Sequence, residues 1–128
     1  MNYVYYNPNP TGKNVGDCTV RAITKALEQD WEKTYIDLSV YGLMLGDMPS
    51  ANAVWGAYLY SKGYIRRMIP EHYSNAYTVV NFANDHKRGT YIVALSGHVV
   101  CVQDGKIYDS WNSGNEVPLY FWYKEKTR

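Results

Sequence analysis

The sequence predicts an α+β protein, with helices in the first half of the chain and an antiparallel sheet in the second. Apolar residues recur at helical spacing as far as Gly63, and strand-like runs of apolar and aromatic residues follow it. The clearest strand signal is Asp104-Gly105, which favours the two-residue turn of a β-hairpin and has an apolar run on each side. Because helices and strands occupy separate parts of the chain, we expect the leading helix to pack on the sheet.

The composition narrows the class of protein. A chain of 128 residues predicts one domain over residues 1–128. The 13 basic and 12 acidic residues are mixed along the chain, so we expect no surface for nucleic acid or an anionic membrane. No apolar run approaches the roughly 20 residues that span a bilayer, and the N-terminus lacks the pattern of a signal peptide. We therefore expect a cytoplasmic protein whose two cysteines are thiols.

The first half of the chain predicts three helices after an irregular arm. Residues 1–15 carry closely spaced Asn, Pro and Gly, which favour turns over regular structure. Each helix follows a residue type that favours helix N-termini. The predicted helices are 18–29 after Asp17, a second from Asp30 to the glycines at 42–46, and 51–62 after Ser50.

The second half predicts strands and one short helix. Thr78 is expected to cap the helix, and residues 71–76 are expected to be irregular, with His72 at the surface. The predicted strands are 64–69, 90–95, 98–103, 106–111 and 118–123.

The register of the predicted hairpin brings a histidine and an aspartate together. With a two-residue loop at Asp104-Gly105, His98 and Asp109 share one side of the ribbon and are diagonal neighbours. Cys101 lies on the other side. A carboxylate that holds an imidazole is the orienting half of a nucleophilic triad.

Cys18 is the candidate nucleophile of that triad. It begins the leading helix, where unpaired backbone amides and the helix dipole stabilise a thiolate. His98 would act as general base and acid if the helix N-terminus abuts its face of the ribbon, and Asp109 would hold the imidazole. The backbone amide of Cys18 and the side chain of Asn14 are the candidate oxyanion donors. This set predicts cleavage of an amide bond through a thioester, with a peptide or protein as substrate.

These motifs resemble those of papain-like cysteine peptidases. In that superfamily a cysteine opens the first long helix and a later histidine begins a strand, as in Gly97-His98-Val99-Val100. Asp109-Ser110-Trp111 is similar to the Asn-Ser-Trp of papain-type enzymes, and bacteriocin-leader peptidases use aspartate at its first position. The resemblance implies a papain-like fold, with the nucleophile helix packed on a C-terminal antiparallel sheet and Trp111 shielding the pair of His98 and Asp109.

A second resemblance and the short length of the chain suggest which bond is cleaved and which residues would contact the substrate. Gly16-Asp17-Cys18 with Arg21-Ala22 is similar to ovarian-tumour-type deubiquitinases, which cleave isopeptide bonds. The chain is much shorter than a papain domain, so aromatic residues such as Trp55 and Trp111 are the candidates for substrate contacts.

Several of these residues also fit plainer structural roles. Cys18 alone would more often be a packing residue, Cys101 is best explained by packing, and Asn112 competes with Asp109 as the partner of His98. The Cys, His and Asp positions lack paired-ligand spacing for zinc, so we expect no metal and no cofactor. His86 is expected to be solvated.

Three functions fit this pattern. The first is a cysteine hydrolase, and the second is an acyltransferase, which would use the same residues. The third is a non-catalytic protein-binding module on the same scaffold, encoded for example by a phage and acting in the host cytoplasm. Gly12 motivates the third, because papain-type enzymes carry glutamine at that place.

Overall fold

The structure is a computed structural model that describes residues 2–70 and 76–124. It has the predicted α+β composition, and the helices and strands that were predicted begin or end within two residues of their expected limits. The predicted surface position of His72 lies outside the described residues. In chain order the elements are β1 (Tyr3–Tyr5), α1 (Cys18–Leu27), α2 (Trp31–Leu45), α3 (Asn52–Ser61), β2 (Tyr64–Met68), α4 (Val79–Asp85), β3 (Thr90–Leu95), β4 (His98–Gln103), β5 (Lys106–Asp109) and β6 (Tyr120–Lys124).

The six described strands form one sheet in the order β1-β5-β4-β3-β6-β2. The prediction of a purely antiparallel sheet is wrong at one edge, where β1 pairs parallel with β5 and Tyr5 stands opposite Asp109. This strand lies within the segment that was predicted to be an irregular arm. Its pairing also fixes the end of β5, because the Tyr6 N–H donates to the carbonyl oxygen of Asp109 at 2.8 Å.

Helices cover both faces of the sheet. On one face α1 and α3 pack against the strands, with α2 against both helices. The short helix α4 packs on the opposite face. The first core includes Ile23, Trp55, Leu59, Ile92, Val99 and Cys101, and the second includes Val79, Phe82, Val93, Val100, Val102 and Ile107. The sheet therefore lies between two apolar layers.

The hairpin of β4 and β5 has the predicted register. Asp104 and Gly105 both have positive φ, at 51° and 78°, as the type I′ turn requires. Val102 consequently faces Ile107. The strand β5 ends at Asp109 rather than at residue 111. The turn thus sets the register that delivers His98 and Asp109 to the same end of the sheet.

The predicted helix caps are only partly correct. Asp17 occupies the N-cap position of α1, but its side chain accepts no hydrogen bond from the helix backbone. The N-cap of α3 is Ala51, so Ser50 lies one residue too early to cap that helix. Thr78 does cap α4, in a capping box with Asn81.

Candidate active site

The three residues that the sequence nominated as a triad meet at one end of the sheet. Cys18 is the first residue of α1, His98 the first of β4 and Asp109 the last of β5. His98 Nε2 lies 2.7 Å from Asp109 Oδ2. Cys18 lines the same cavity as His98, and each of the two side chains shifts the pKa of the other. The imidazole therefore has the carboxylate as its hydrogen-bond partner and the thiol as a neighbour in the cavity.

The helix that carries Cys18 does not pack on the face of the sheet to which His98 belongs. The helix α1 packs on the face of the sheet that carries Val99 and Cys101, whereas strand alternation places His98 on the other face. The role of His98 was predicted on the condition that the N-terminus of α1 abuts the His98 face, whereas the body of the helix packs on the opposite face. His98 and Asp109 stand at strand ends, and Cys18 stands at the start of the helix.

Electrostatics favour an ion pair between Cys18 and His98. Burial alone would raise the pKa of the Cys18 thiol, but hydrogen bonds from His98 and from the Val99 N–H lower it below its ordinary value. Burial would lower the pKa of His98, but the hydrogen bonds to Asp109 and Cys18 raise it to about 9. As the thiol pKa falls and the imidazole pKa rises, the thiolate and imidazolium forms coexist over a wider pH range.

Asp109 is fully buried and accepts four hydrogen bonds. Its Oδ2 accepts from His98 and from Ser113 Oγ, each at 2.7 Å. Its Oδ1 accepts from Arg21 Nη2 at 2.9 Å and from the Ser110 N–H at 2.8 Å. Burial would raise the pKa of this carboxyl, but the bonds from His98 and Ser113 and the charges of His98 and Arg21 lower it. Asp109 therefore stays ionised in the interior and can hold the imidazolium.

Arg21 links Asp109 to the start of α1, and sequence reasoning assigned it no role. Its side chain is only 5% exposed, and its Nη1 donates to Asp17 Oδ1 at 2.6 Å. Trp31 Nε1 donates to the other oxygen of Asp17 at 2.9 Å. The Asp17 and Arg21 pair has the i, i+4 spacing that joins opposite charges on a helix, which was the available sequence signal.

Trp111 and Asn14 border the same cavity as Cys18 and His98. The Trp111 ring centroid is 4.9 Å from that of His98, with 40° between the ring planes. This position beside the imidazole is compatible with the shielding role that the resemblance implies. Asn14 is exposed at the rim of the cavity.

Trp55 lies beneath the site rather than on its surface. Its side chain is 1% exposed and stacks parallel to Tyr120, with the ring centroids 6.4 Å apart. Its indole N–H donates to Asn52 Oδ1 at 3.1 Å. The structure thus places Trp55 in the wall of the cavity, where it shapes the cleft and offers almost no surface to a substrate.

The cleft has two lobes that meet at the candidate nucleophile. One encloses about 490 Å³ and extends towards Ser50 and Tyr120, and the other encloses about 440 Å³ and extends towards Asn14 and Trp111. The residues that line both lobes are Gly16, Cys18, Gly97 and His98. A bound chain can therefore pass across Cys18 and occupy space on both sides of it.

The remaining candidate residues from the sequence lie elsewhere. Cys101 is fully buried in the core, and burial raises the pKa of its thiol. The Asn112 side chain accepts the Gly114 N–H at 3.0 Å, while Asp109 is the partner of His98. Within residues 2–70 and 76–124, no group of His, Cys, Asp and Glu is arranged to hold a metal ion.

His86 is not the solvated residue that was predicted. It is half-buried on the α4 side of the sheet, with its ring 3.9 Å from that of Phe82. Its Nδ1 lies 2.8 Å from the Phe82 carbonyl oxygen. Aromatic stacking and this bond explain its burial, and they keep it away from the Cys18 site.

Comparisons with known proteins do not identify this chain. No protein-family model, curated protein or solved structure matches it. In the part of the chain that the structure describes, no helix has the length and apolar character needed to cross a bilayer. The class of the protein is therefore defined by its own fold and site, an α+β protein with a Cys-His-Asp constellation at one end of its sheet.

Proposed function

We propose that the protein is a papain-like cysteine hydrolase that cleaves a peptide or isopeptide bond in the cytoplasm. The single observation that carries this proposal is the position of His98. One of its ring nitrogens lies 2.7 Å from a buried carboxylate, and its side chain lines the same cavity as the thiol at the start of α1. A histidine with only a structural role does not need a partly buried thiol beside it in a cleft.

The proposed reaction has two steps. The Cys18 thiolate attacks the carbonyl carbon, the His98 imidazolium gives its proton to the leaving amine, and a thioester to Cys18 remains. The neutral His98 then takes a proton from water, whose oxygen attacks the thioester. The acid product leaves, and the returned proton restores the ion pair of Cys18 and His98. Asp109 holds His98 and stabilises its charged form in both steps.

The negative charge on the substrate oxygen needs hydrogen-bond donors. The backbone N–H of Cys18, at the open N-terminus of α1, is one proposed donor. The Asn14 carboxamide is the other, and its place at the rim of the Cys18 cavity supports that role. Trp111 is proposed to exclude water from the hydrogen bond between His98 and Asp109.

The two-lobed cleft supports a chain-like substrate. The lobe towards Tyr120 has no charged side chain in its lining apart from the Cys18 and His98 pair. We therefore propose that the substrate residues on this side of the scissile bond are uncharged, because an unpaired charge would lose hydration there. A peptide or protein segment can meet both requirements, a chain-like shape and uncharged residues on the Tyr120 side of the scissile bond.

Replacing each cysteine in turn tests the hydrolase proposal. Cys18→Ala should abolish cleavage of a mixed library of linear and isopeptide-linked peptides, because the reaction loses its nucleophile, with a rate loss of about 1,000-fold or more. Cys101→Ala is the matched control, since it removes a thiol from the core and not from the cleft. Mass spectrometry of the new peptide termini measures the result.

Cleavage by the wild-type protein and by Cys101→Ala, but not by Cys18→Ala, would support the proposal. Equal cleavage by Cys18→Ala would contradict it. Absence of cleavage of any peptide by the wild-type protein would also contradict it and would favour the binding module.

A further inference from the structure

We propose that Arg21 is a positioning residue of this site, because its guanidinium, held by Asp17, fixes the carboxylate of Asp109 that orients His98. The inference deepens the proposed hydrolase function and rests on it. Arg21 does not touch the cysteine–histidine pair in this scheme, so it acts through Asp109 alone.

Arg21 bonds Asp17 and Asp109 at the same time, and we call this arrangement of three residues the clamp. Separate nitrogens of Arg21 reach the two carboxylates, with Nη1 at 2.6 Å from Asp17 and Nη2 at 2.9 Å from Asp109. A planar guanidinium presents these donors in a fixed relation, which a lysine ammonium cannot do. Since Arg21 lies one turn after Cys18 on α1, the helix that carries the nucleophile also holds the residue that orients the base.

The clamp helps to fix the orientation of the Asp109 carboxylate. Arg21 and the Ser110 N–H occupy Oδ1, so Oδ2 is the oxygen that His98 and Ser113 share. Rotation of the carboxylate would break all four bonds in a buried site. The imidazole is thereby held in one orientation through its Nε2.

The clamp also sets the local charge. The ionisable groups around the site come from four elements and one cap. They are Asp17 at the N-cap of α1, Cys18 and Arg21 of α1, His98 of β4, Asp109 of β5, and Tyr3 of β1, whose hydroxyl donates to the Asp109 carbonyl oxygen at 3.2 Å. Burial raises the pKa of Tyr3 above 10, so this phenol is neutral in the working range. Arg21 and Asp17 form an ion pair behind Cys18 and His98.

Releasing the clamp at either end should raise the pKa of Cys18. Arg21→Gln removes the donor that holds Asp109, and Asp17→Asn removes the carboxylate that holds Arg21, so His98 is held less firmly beside the thiol in both variants. We expect the pH midpoint to rise by about 0.5 pH unit or more in each case, although the two variants remove charges of opposite sign. The measurement is the pH midpoint of Cys18 alkylation by iodoacetamide, followed by mass spectrometry of the peptide that contains residue 18.

The Arg21→Lys variant keeps the charge but loses the planar pair of donors, so its midpoint should stay above the wild-type value. A direct charge effect would instead move the Arg21→Gln and Asp17→Asn midpoints in opposite directions, and lysine would restore the wild-type value. Opposite shifts, no resolvable shift, or full restoration by lysine would therefore overturn the positioning role while the wild-type midpoint stays below the ordinary thiol value.

A wild-type midpoint at the ordinary thiol value would instead remove the proposed hydrolase function, and the positioning role with it. If Arg21→Gln does not fold, the Asp17→Asn midpoint decides alone. A rise supports the clamp, and no rise overturns it.

Discussion

Replacing Asp109 by alanine is expected to lower the free energy of unfolding by about 3–5 kcal/mol, the usual cost of removing one partner of a buried ion pair. Four donors converge on this carboxylate, and two of them, Arg21 and His98, carry or gain a positive charge. Alanine leaves the Arg21 guanidinium with Asp17 as its remaining ionic partner in an interior where its side chain is 5% exposed. Urea denaturation measures the loss.

Asp37→Ala is the matched control for this substitution. The Asp37 carboxylate also accepts hydrogen bonds, from Tyr58 at 2.6 Å and Lys33 at 3.1 Å, but its side chain is 23% exposed. Solvent can replace those bonds, so we expect a loss of about 1 kcal/mol. Equal losses in the two variants would contradict the account of Asp109 as the centre of a buried charge network.

Replacing His98 by alanine is expected to slow the alkylation of Cys18 at neutral pH about tenfold, since each unit of pKa changes the thiolate fraction tenfold. The bond from His98 is the first among the contacts that lower the pKa of Cys18. Without it, burial would dominate and the thiol would stay protonated. The rate of iodoacetamide modification at residue 18 measures this effect.

His86→Ala provides a histidine control on the opposite side of the sheet. It removes a half-buried ring that stacks on Phe82 and has no contact with the Cys18 cleft. The rate of Cys18 alkylation in His86→Ala should equal that in the wild-type protein as long as the variant is folded. A comparable slowing in both variants would indicate a general loss of structure and would contradict a specific role for His98.

Local sequence signals were sufficient for much of the fold. Asp104-Gly105 specifies its turn through backbone conformation alone, and that turn fixed the pairing of Val102 with Ile107. Thr78 and Asn81 form a capping box within four residues, so a single window of sequence contains the whole interaction. The approach of His98 to Asp109 followed from this short-range geometry.

Long-range features could not be predicted in the same way. The strand β1 has three residues and pairs with β5 about a hundred positions away, so no local pattern shows its partner. Arg21 and Asp109 are 88 residues apart in sequence, and their contact depends on where α1 packs. The side chain of Asp17 was expected to cap α1, but a buried arginine is a stronger partner than a backbone amide.

The measurement that tests the central claim most directly is the pKa of His98, followed by nuclear magnetic resonance in the wild-type protein and in Cys18→Ala. The His98 signal is identified among the three histidines as the one that His98→Ala removes. If the thiol and the imidazole form one unit, His98 titrates at about 9 in the wild-type protein and at a distinctly lower pH in Cys18→Ala. A wild-type value near 6.5, or the same value in both proteins, would contradict the account.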